Sequence, residues 1–540
     1  MPAIVTDQFR IFNANNFVNS VLTGDDSYYV FLGLVNPFGK IPFSNTIVGF
    51  GRTSNWQTET PAPIDNLQYL NHYRDTMLFG KKVNSANIRR VVKRHNWISN
   101  TRYDMYRHDY QTIVNPAPNS DTGNLFDSNF YVVNSDFKVY ICIDNGSSGI
   151  NIKGNVSIDE PTFTDLEVTA ARTSGDGYLW KYLFTASPSD IIKFDSTEFI
   201  VLPNDWETST DSQIQNVRDA GDSDVNFNQI KKVYIENAGS GVSPVYQTGT
   251  YEVDILGDGS GGKVQIVVDT TGKISSAKVS SGGSGYTFGV VNLGTVQINP
   301  AGSLSADNAA KLIPIIPPSK GHGHNIYKEL GSDKVLIYAR FDDSTKDFPT
   351  DTKFSQIGII KNPTQISSGS TFTLNQFSSL SSLKLSSDIG ITQSLVGVGI
   401  TQTTTNGDIA RGYIASYDKE TKVLKYFQDR SLHFVNGVDQ TDNTSISKQS
   451  KVVPFESTSE SIISDNTDPD LQFTKSIDTN FSGITTVVNN KIINLGVNFT
   501  DGISQEEINK KTGDIIYVDN RELVERNSRQ KEDVKIILEF

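Results

Sequence analysis

Apolar residues recur at helical spacing near the start of this chain and alternate through most of the rest. Over 7–22, Thr6 stands as an N-cap and Phe9, Phe12, Phe17 and Val21 mark an apolar side, which predicts a helix. Over 65–79, Asp65 and Gln68 have the spacing of a capping box. Leu67, Leu70, Arg74, Met77 and Leu78 trace one mostly apolar face, and Gly80 reads as the C-terminal stop. Alternation predicts strands at 130–142, 178–184 and 198–202, the last ending at Pro203. Further strands are expected at 334–341, 356–361, 514–518 and 534–540, with a hairpin at 410–427 turning at Asp418–Thr421. A Ser/Thr-rich stretch of short strands fills 366–405. Segment 310–318, with Pro317-Pro318, reads as a linker, and 440–480 as polar loop.

One stretch repeats. IKKVYIENAGSGVS at 230–243 aligns without gaps to ISSAKVSSGGSGYT at 274–287. Each copy reads as an alternating strand entering a Gly-Ser-Gly turn, where glycine supplies positive φ. GDGSGG at 257–262 marks another turn between them. Two copies are too few for a solenoid, so a compact β-sandwich or short β-roll insertion is expected.

Composition narrows the class. The chain has 540 residues, enough for several domains, and a net charge of −13. That balance argues against duplex nucleic acid or an anionic membrane as the main partner. Only 36% of residues are hydrophobic while 10% are aromatic, which suits short strands and tight turns better than a helical bundle. Cys142 is the single cysteine and reads as a small buried residue, so no internal disulfide is available. No apolar run reaches the roughly 18 residues of a membrane span, and MPAIVTDQFR lacks the pattern of a signal peptide.

Candidate chemistry is sparse. GDGSGGK at 257–263 lacks the spacing of a phosphate loop, and the aspartates near it fit ordinary turns. His322 and His324 in GHGHN are the best metal candidate, but no third ligand adjoins them and the flanking glycines read as a flexible connector. His95 and His108 lie among Arg94, Arg102 and Arg107, where a buried cation–aromatic cluster with Trp97, Tyr103 and Tyr106 is expected.

Several words go further. AIVTDQFR at 3–10, GRTSNW at 51–56 with PAPIDN at 61–66, RHNWISNTRYDMY at 94–106 and GDGYLWKYLF at 175–184 come first. EFIVLPNDW at 198–206, FSQIGIIKNP at 354–363 and the C-terminal GDIIYVDNRELVERNSRQKEDVKIILEF follow. In content and order this series resembles the baseplate wedge family of contractile-tailed phages, typified by the gene-eight product of T-even phages. The residues that carry the resemblance are Arg10, Gly51, Arg52, Trp56, Trp97, Arg102, Tyr103, Gly175, Asp176, Gly177, Tyr178, Trp180, Tyr182, Phe184, Tyr517, Asn520 and Arg521.

The resemblance implies a mainly β fold: a multi-layer β-sandwich core with helical insertions plus inserted β-rich modules. The map that follows has a base domain at 1–227, the repeat module at 228–300, a return to the base at 301–365, a second insertion at 366–510 and base strands at 511–540. It implies a structural subunit of the tail baseplate wedge, made in the host cytoplasm and built into the virion. Such a subunit forms a homodimer and binds neighbouring wedge proteins during assembly and tail contraction. No enzymatic activity, cofactor, metal, small-molecule substrate, nucleic acid or membrane is expected. The alternative is a host-recognition fibre or adhesin module that binds envelope polysaccharide. Within the motifs, Gly175, Asp176 and Gly177 are expected to make a tight turn, and Tyr178, Trp180, Tyr182 and Phe184 to share a strand face. Arg52 and Arg102 are expected to pair with buried carboxylates or stack on Trp56 and Trp97.

Overall fold

The computed structural model describes residues 5–34, 60, 62–65, 67–148, 151–172, 175–220, 227–239, 245–300, 305, 308–342, 352–428, 434–435, 438–439, 453–458, 460–466, 468–527 and 530–540. The fold is mainly β, with antiparallel sheets and few helices. The chain forms two compact units, each assembled from separated stretches. One holds Met1–Val18, Arg89–Leu336 and Ile537–Phe540; the other holds Asn19–Ile88 and Ile337–Ile536.

The first unit is built on a three-stranded sheet of Tyr131–Val133, Lys138–Asn145 and Tyr178–Thr185. The expected single strand over 130–142 is instead a hairpin. Asn134 Oδ1 accepts from the amides of Asp136 and Lys138, both at 2.9 Å, and Phe137 takes φ 58°. The turn falls on the polar Asn134-Ser135-Asp136, turn-forming residues that break the apolar run. Val91–Lys93 pair antiparallel with Phe199–Val201. The core gathers Tyr103, Tyr131, Tyr140, Tyr178, Trp180, Tyr182 and Trp206, all at most 2% exposed. Cys142 lies among them, fully buried.

The repeat folds as a subassembly of this unit with its own core, running from Ile230 to Leu312. Four strands pair in the order Ile274–Ser284, Ser260–Val268, Gly249–Gly257, Gly289–Val291. The two copies bond reciprocally: Ile230 N donates to Gly282 O at 3.0 Å and Ile274 N to Ala238 O at 2.8 Å. Both pairs are related by the same shift, since 274 − 230 and 282 − 238 are equal. The duplicated words are therefore partners across a local pseudo-two-fold. Part of the first Gly-Ser-Gly turn, 240–244, lies outside the described residues. The stretch expected as a linker contains a strand, Lys311–Pro314, which pairs with Val233–Asn237. Together they make a two-faced stem: Tyr234 and Ile313 pack into the aromatic core, while Val233, Ile235 and Leu312 pack into the module.

The second unit has a five-stranded sheet in the order Gln376–Ser378, Met77–Val83, Tyr28–Gly33, Lys353–Lys361, Asp514–Glu525. It also has a seven-stranded sheet with a separate core around Leu383, Ile400, Ile414 and Leu424. The expected hairpin is here, as Ile409–Asp418 and Val423–Phe427. Residues 440–452 lie outside the described ones, but the expected loop to 480 contains the strands Ile462–Asp465 and Thr474–Lys475.

The two helices need correction. The second is only Leu67–Asp75, and Met77–Val83 is a strand beside Tyr28–Gly33. Thr76 Oγ1 donates back to His72 O at 2.9 Å as the helix ends. Met77, Leu78 and Phe79 satisfy both periodicities over so short a span, and sheet pairing decides between them. Gly80 is thus no helix stop: a Cβ there would lie 2.3 Å from the Phe377 ring. The Gln68 side chain is outside the described residues. The first helix, Asp7–Thr23, buries Ile11, Ala14, Val18 and Val21, whereas Phe9 and Phe12 are 54% and 59% exposed.

Candidate functional site

The words TRY at 101–103 and GDGYLWKYLF at 175–184 meet in the first unit's core. Gly177 takes φ 89°, which lets Asn155 Nδ2 reach Asp176 O at 2.7 Å. The Asp176 carboxylate accepts from the amides of Ile158 at 2.7 Å, Asp159 at 3.2 Å and Tyr178 at 3.0 Å. The strand that follows has Tyr178 stacked on Trp180 at 5.3 Å, and Tyr182 and Phe184 are equally buried. Tyr178 OH accepts from Tyr103 N at 3.0 Å and donates to Asn155 O at 2.9 Å. Tyr103 stands edge-on to Trp180 at 5.8 Å, and its hydroxyl accepts from Ile98 N at 2.6 Å. Trp97 Nε1 donates to Ser157 Oγ at 3.0 Å. Arg102 Nε donates to the Gly154 carbonyl at 3.3 Å, a backbone acceptor in place of the expected carboxylate or indole. Gly51, Arg52 and Trp56 lie outside the described residues.

Asp104, adjacent to this triplet and fully buried, was not singled out by sequence. Its carboxylate accepts from Asn119 N at 2.8 Å, Ser120 N at 3.0 Å and Ser120 Oγ at 2.5 Å. Only its position beside TRY hinted at a role. Burial raises the pKa of Tyr103, Tyr178 and Cys142, which keeps all three protonated near neutral pH. Groups so placed are braces, poorly suited to nucleophilic or proton-transfer work.

The basic residues expected as one cation–aromatic cluster with Trp97, Tyr103 and Tyr106 instead take separate partners, and the rings beside Arg94 and Arg107 are not those expected. Arg107 forms a two-pronged pair with Asp109 at 2.9 and 2.7 Å and lies 3.8 Å from the ring centre of Tyr234 on the module stem. Lys232 pairs with Asp144 at 2.6 Å, and His108 Nδ1 accepts from Ile316 N at 3.2 Å. These contacts seat the module on the aromatic core. Arg94 pairs with Asp195 and stands over Phe137. His95 is edge-on to Tyr131 at 5.0 Å, and its buried Nε2 has no hydrogen-bond partner. Burial, with Lys93 nearby, lowers its pKa to about 4.

The GHGHN segment is anchored, contrary to the expected flexible connector. His322 Nδ1 lies 2.5 Å from Glu329 Oε1, while His324 Nδ1 lies 3.1 Å from Arg218 O. Trp206 Nε1 donates to the carbonyls of Gly323 and His324, each at 3.1 Å. The two imidazoles thus serve different partners. Among the described residues no cluster of three or more His, Cys, Asp or Glu is arranged to hold a metal.

The remaining motif residues sit at the chain ends. In the first unit Arg10 is 3.9 Å from both Asp333 and Glu539, and Phe17 lies 5.5 Å from Phe540. In the second, the words around 354–363 and 513–525 pair: Ile359 faces Tyr517 and Gln356 faces Asn520. Gln356 Nε2 donates to Asn520 Oδ1 at 2.8 Å with both residues buried, and Arg521 pairs with Asp519 at 2.6 Å near the surface.

The chain is 27% identical over 228 residues to the baseplate wedge protein gp8 of Enterobacteria phage T4. The match covers 37% of this chain and 60% of that protein's length. No family model matches the chain. It is therefore a distant relative of the baseplate wedge family. Among the described residues no helix is long and apolar enough to cross a membrane.

Proposed function

We propose that this chain is a structural subunit of a phage tail baseplate wedge, working by assembly and not by catalysis. Two copies dimerise, and the dimer binds neighbouring wedge proteins. The protein is made in the host cytoplasm and ends in the virion tail. The observation that carries this reading is the similarity to the T4 baseplate wedge protein, which extends over 228 residues. The geometry supports it. The motif words converge as packing, with Asp176 and Tyr178 occupied by internal backbone partners. A carboxylate holding backbone amides and a hydroxyl both donating and accepting are spoken for, so they stiffen a scaffold.

Co-expression with the neighbouring tail proteins of the parent phage, followed by size-exclusion chromatography, tests this. The chain should leave the column in a stoichiometric complex with at least one of them. Elution apart from every neighbour, in each combination, would refute the wedge assignment.

A further inference from the structure

In an Asn-Gly dipeptide the asparagine amide is open to attack by the next backbone nitrogen, because glycine puts no Cβ in the way. The chain has three, at 145–146, 406–407 and 436–437, the last outside the described residues. The fold treats the first two oppositely. Asn145 is 2% exposed; its Nδ2 donates to Tyr103 O at 3.0 Å and its Oδ1 accepts from Ser147 N at 3.1 Å. Gly146 N is held by Asp144 Oδ1 at 2.9 Å. Asn406 and Gly407 are both exposed, at the tip of the hairpin that joins Gly399–Thr403 to Ile409–Asp418. The Asn406 side chain has no hydrogen-bond partner among the described residues, and a Cβ at Gly407 would meet nothing within 4 Å. Gly407 N donates to Thr404 O at 2.9 Å, one bond at an exposed tip, where local opening costs little free energy.

The same tip is a clasp. Thr405 N and Oγ1 donate to Glu456 Oε2 at 3.0 and 2.9 Å. Glu456 N donates to Gln402 Oε1 at 2.8 Å, and buried Gln402 returns a bond from Nε2 to Glu456 O at 2.9 Å. These contacts seat Phe455 against Tyr426, ring centres 4.8 Å apart, in the core of the seven-stranded sheet. Asp408, whose amide donates to Thr404 Oγ1 at 3.1 Å, follows two residues after Asn406. A new carboxylate at 406 would thus adjoin the residue that holds Glu456 and stand near a second acid in sequence. Like charges so placed repel.

We propose that Asn406 is a site of spontaneous deamidation, and that its conversion loosens the strap 453–458 from the hairpin. The Gly407 nitrogen, giving its proton to solvent, bonds to Asn406 Cγ. The Cγ–Nδ2 bond breaks, and the nitrogen leaves as ammonia with a proton taken from water. Water then opens either carbonyl of the five-membered imide, which leaves aspartate or isoaspartate at 406. In sum, one amide and one water give one carboxylate and one ammonium ion, with no other reactant. Isoaspartate also adds a backbone atom to a turn closed by Thr404 N on Asp408 O at 2.8 Å. This chemistry is independent of the wedge reading.

The test is peptide mapping of the purified full chain by mass spectrometry during incubation in mildly alkaline buffer. Aspartate and isoaspartate should accumulate at 406, the latter confirmed by labelling with an isoaspartyl methyltransferase. Asn145 should convert at least about tenfold more slowly, since freeing it means opening the core. Asn406→Gln, whose longer side chain closes the ring poorly, should abolish conversion at this site. Asn406 left intact while a free peptide of 403–409 converts would overturn the proposal, as would conversion of Asn145 at an equal rate. For the strap, hydrogen–deuterium exchange compares Asn406→Asp with Asn406→Gln. The aspartate variant should exchange about two- to fivefold faster at 453–458, and lose that difference as salt rises. Equal exchange in the two variants would overturn the loosening.

Discussion

Single side chains brace the first unit, and two of them make sharp predictions. Asp104 is fully buried and satisfies two amides and a hydroxyl. Replacing it by Ala strands those donors, at a cost of about 3 kcal/mol, or about 6–12 °C in Tm for a unit of this size. Differential scanning calorimetry reads this directly; a shift under about 2 °C would mean that water replaces the carboxylate without loss. His95 predicts a pH dependence. Its folded pKa is about 4, below its ordinary value of 6.5, so between these values the unfolded chain binds more protons. Stability from neutral His95 is complete above pH 6.5 and is lost as pH falls toward 4. The ring stands edge-on to Tyr131 and its Nε2 has no partner, so His95→Phe keeps the packing and removes the proton site. The variant should lose less Tm than the parent between pH 7 and pH 5. An identical acid loss would place the sensitivity elsewhere.

Secondary-structure elements show what could be read from sequence and what could not. Long alternating strands were legible: 334–341 is Lys334–Phe341 in the fold, and 178–184 is Tyr178–Thr185. Met77–Val83 was not, because three apolar residues after a helix fit either period until Tyr28–Gly33 lies beside them. The motif residues were found as words, but their contacts were hidden, since Tyr103 and Tyr178 are joined only by folding. The repeat was visible, yet its reciprocal bonds and its stem were not: Lys311–Pro314 lies in a proline-rich stretch that reads as linker. The stem gives the next prediction. Replacing 239–309 by a short Gly/Ser turn, with Val233, Ile235 and Leu312 changed to Thr, keeps Tyr234 against Arg107. The shortened chain should stay soluble and melt within about 5 °C of the parent. Aggregation would show that the module supports the aromatic core. The C-terminal strand is the opposite case. Val534 and Ile536 are buried, Asp533 pairs with Arg340 at 2.6 Å, and Phe540 meets Phe17. Deleting 534–540 removes buried side chains at about 1.5–3 kcal/mol each. The expected product is insoluble, and a normal size-exclusion profile would contradict this.

At the scale of the whole molecule, aromatic residues fill the first unit's core, the Asp104 and Asp176 carboxylates are committed to backbone amides, and the words TRY and GDGYLWKYLF converge as packing. Dimerisation is expected to rest on apolar burial, so sedimentation at micromolar concentration should give a dimer that persists in moderate salt. A strict monomer would remove that part of the proposal while leaving a wedge role open. The most direct measurement is cryo-electron microscopy of the parent phage tail, with this chain traced into the density. If the proposed function holds, both units will appear as density in the baseplate wedges, in contact with neighbouring proteins. Finding the chain in the fibres, at the central spike, or absent from the particle would contradict it.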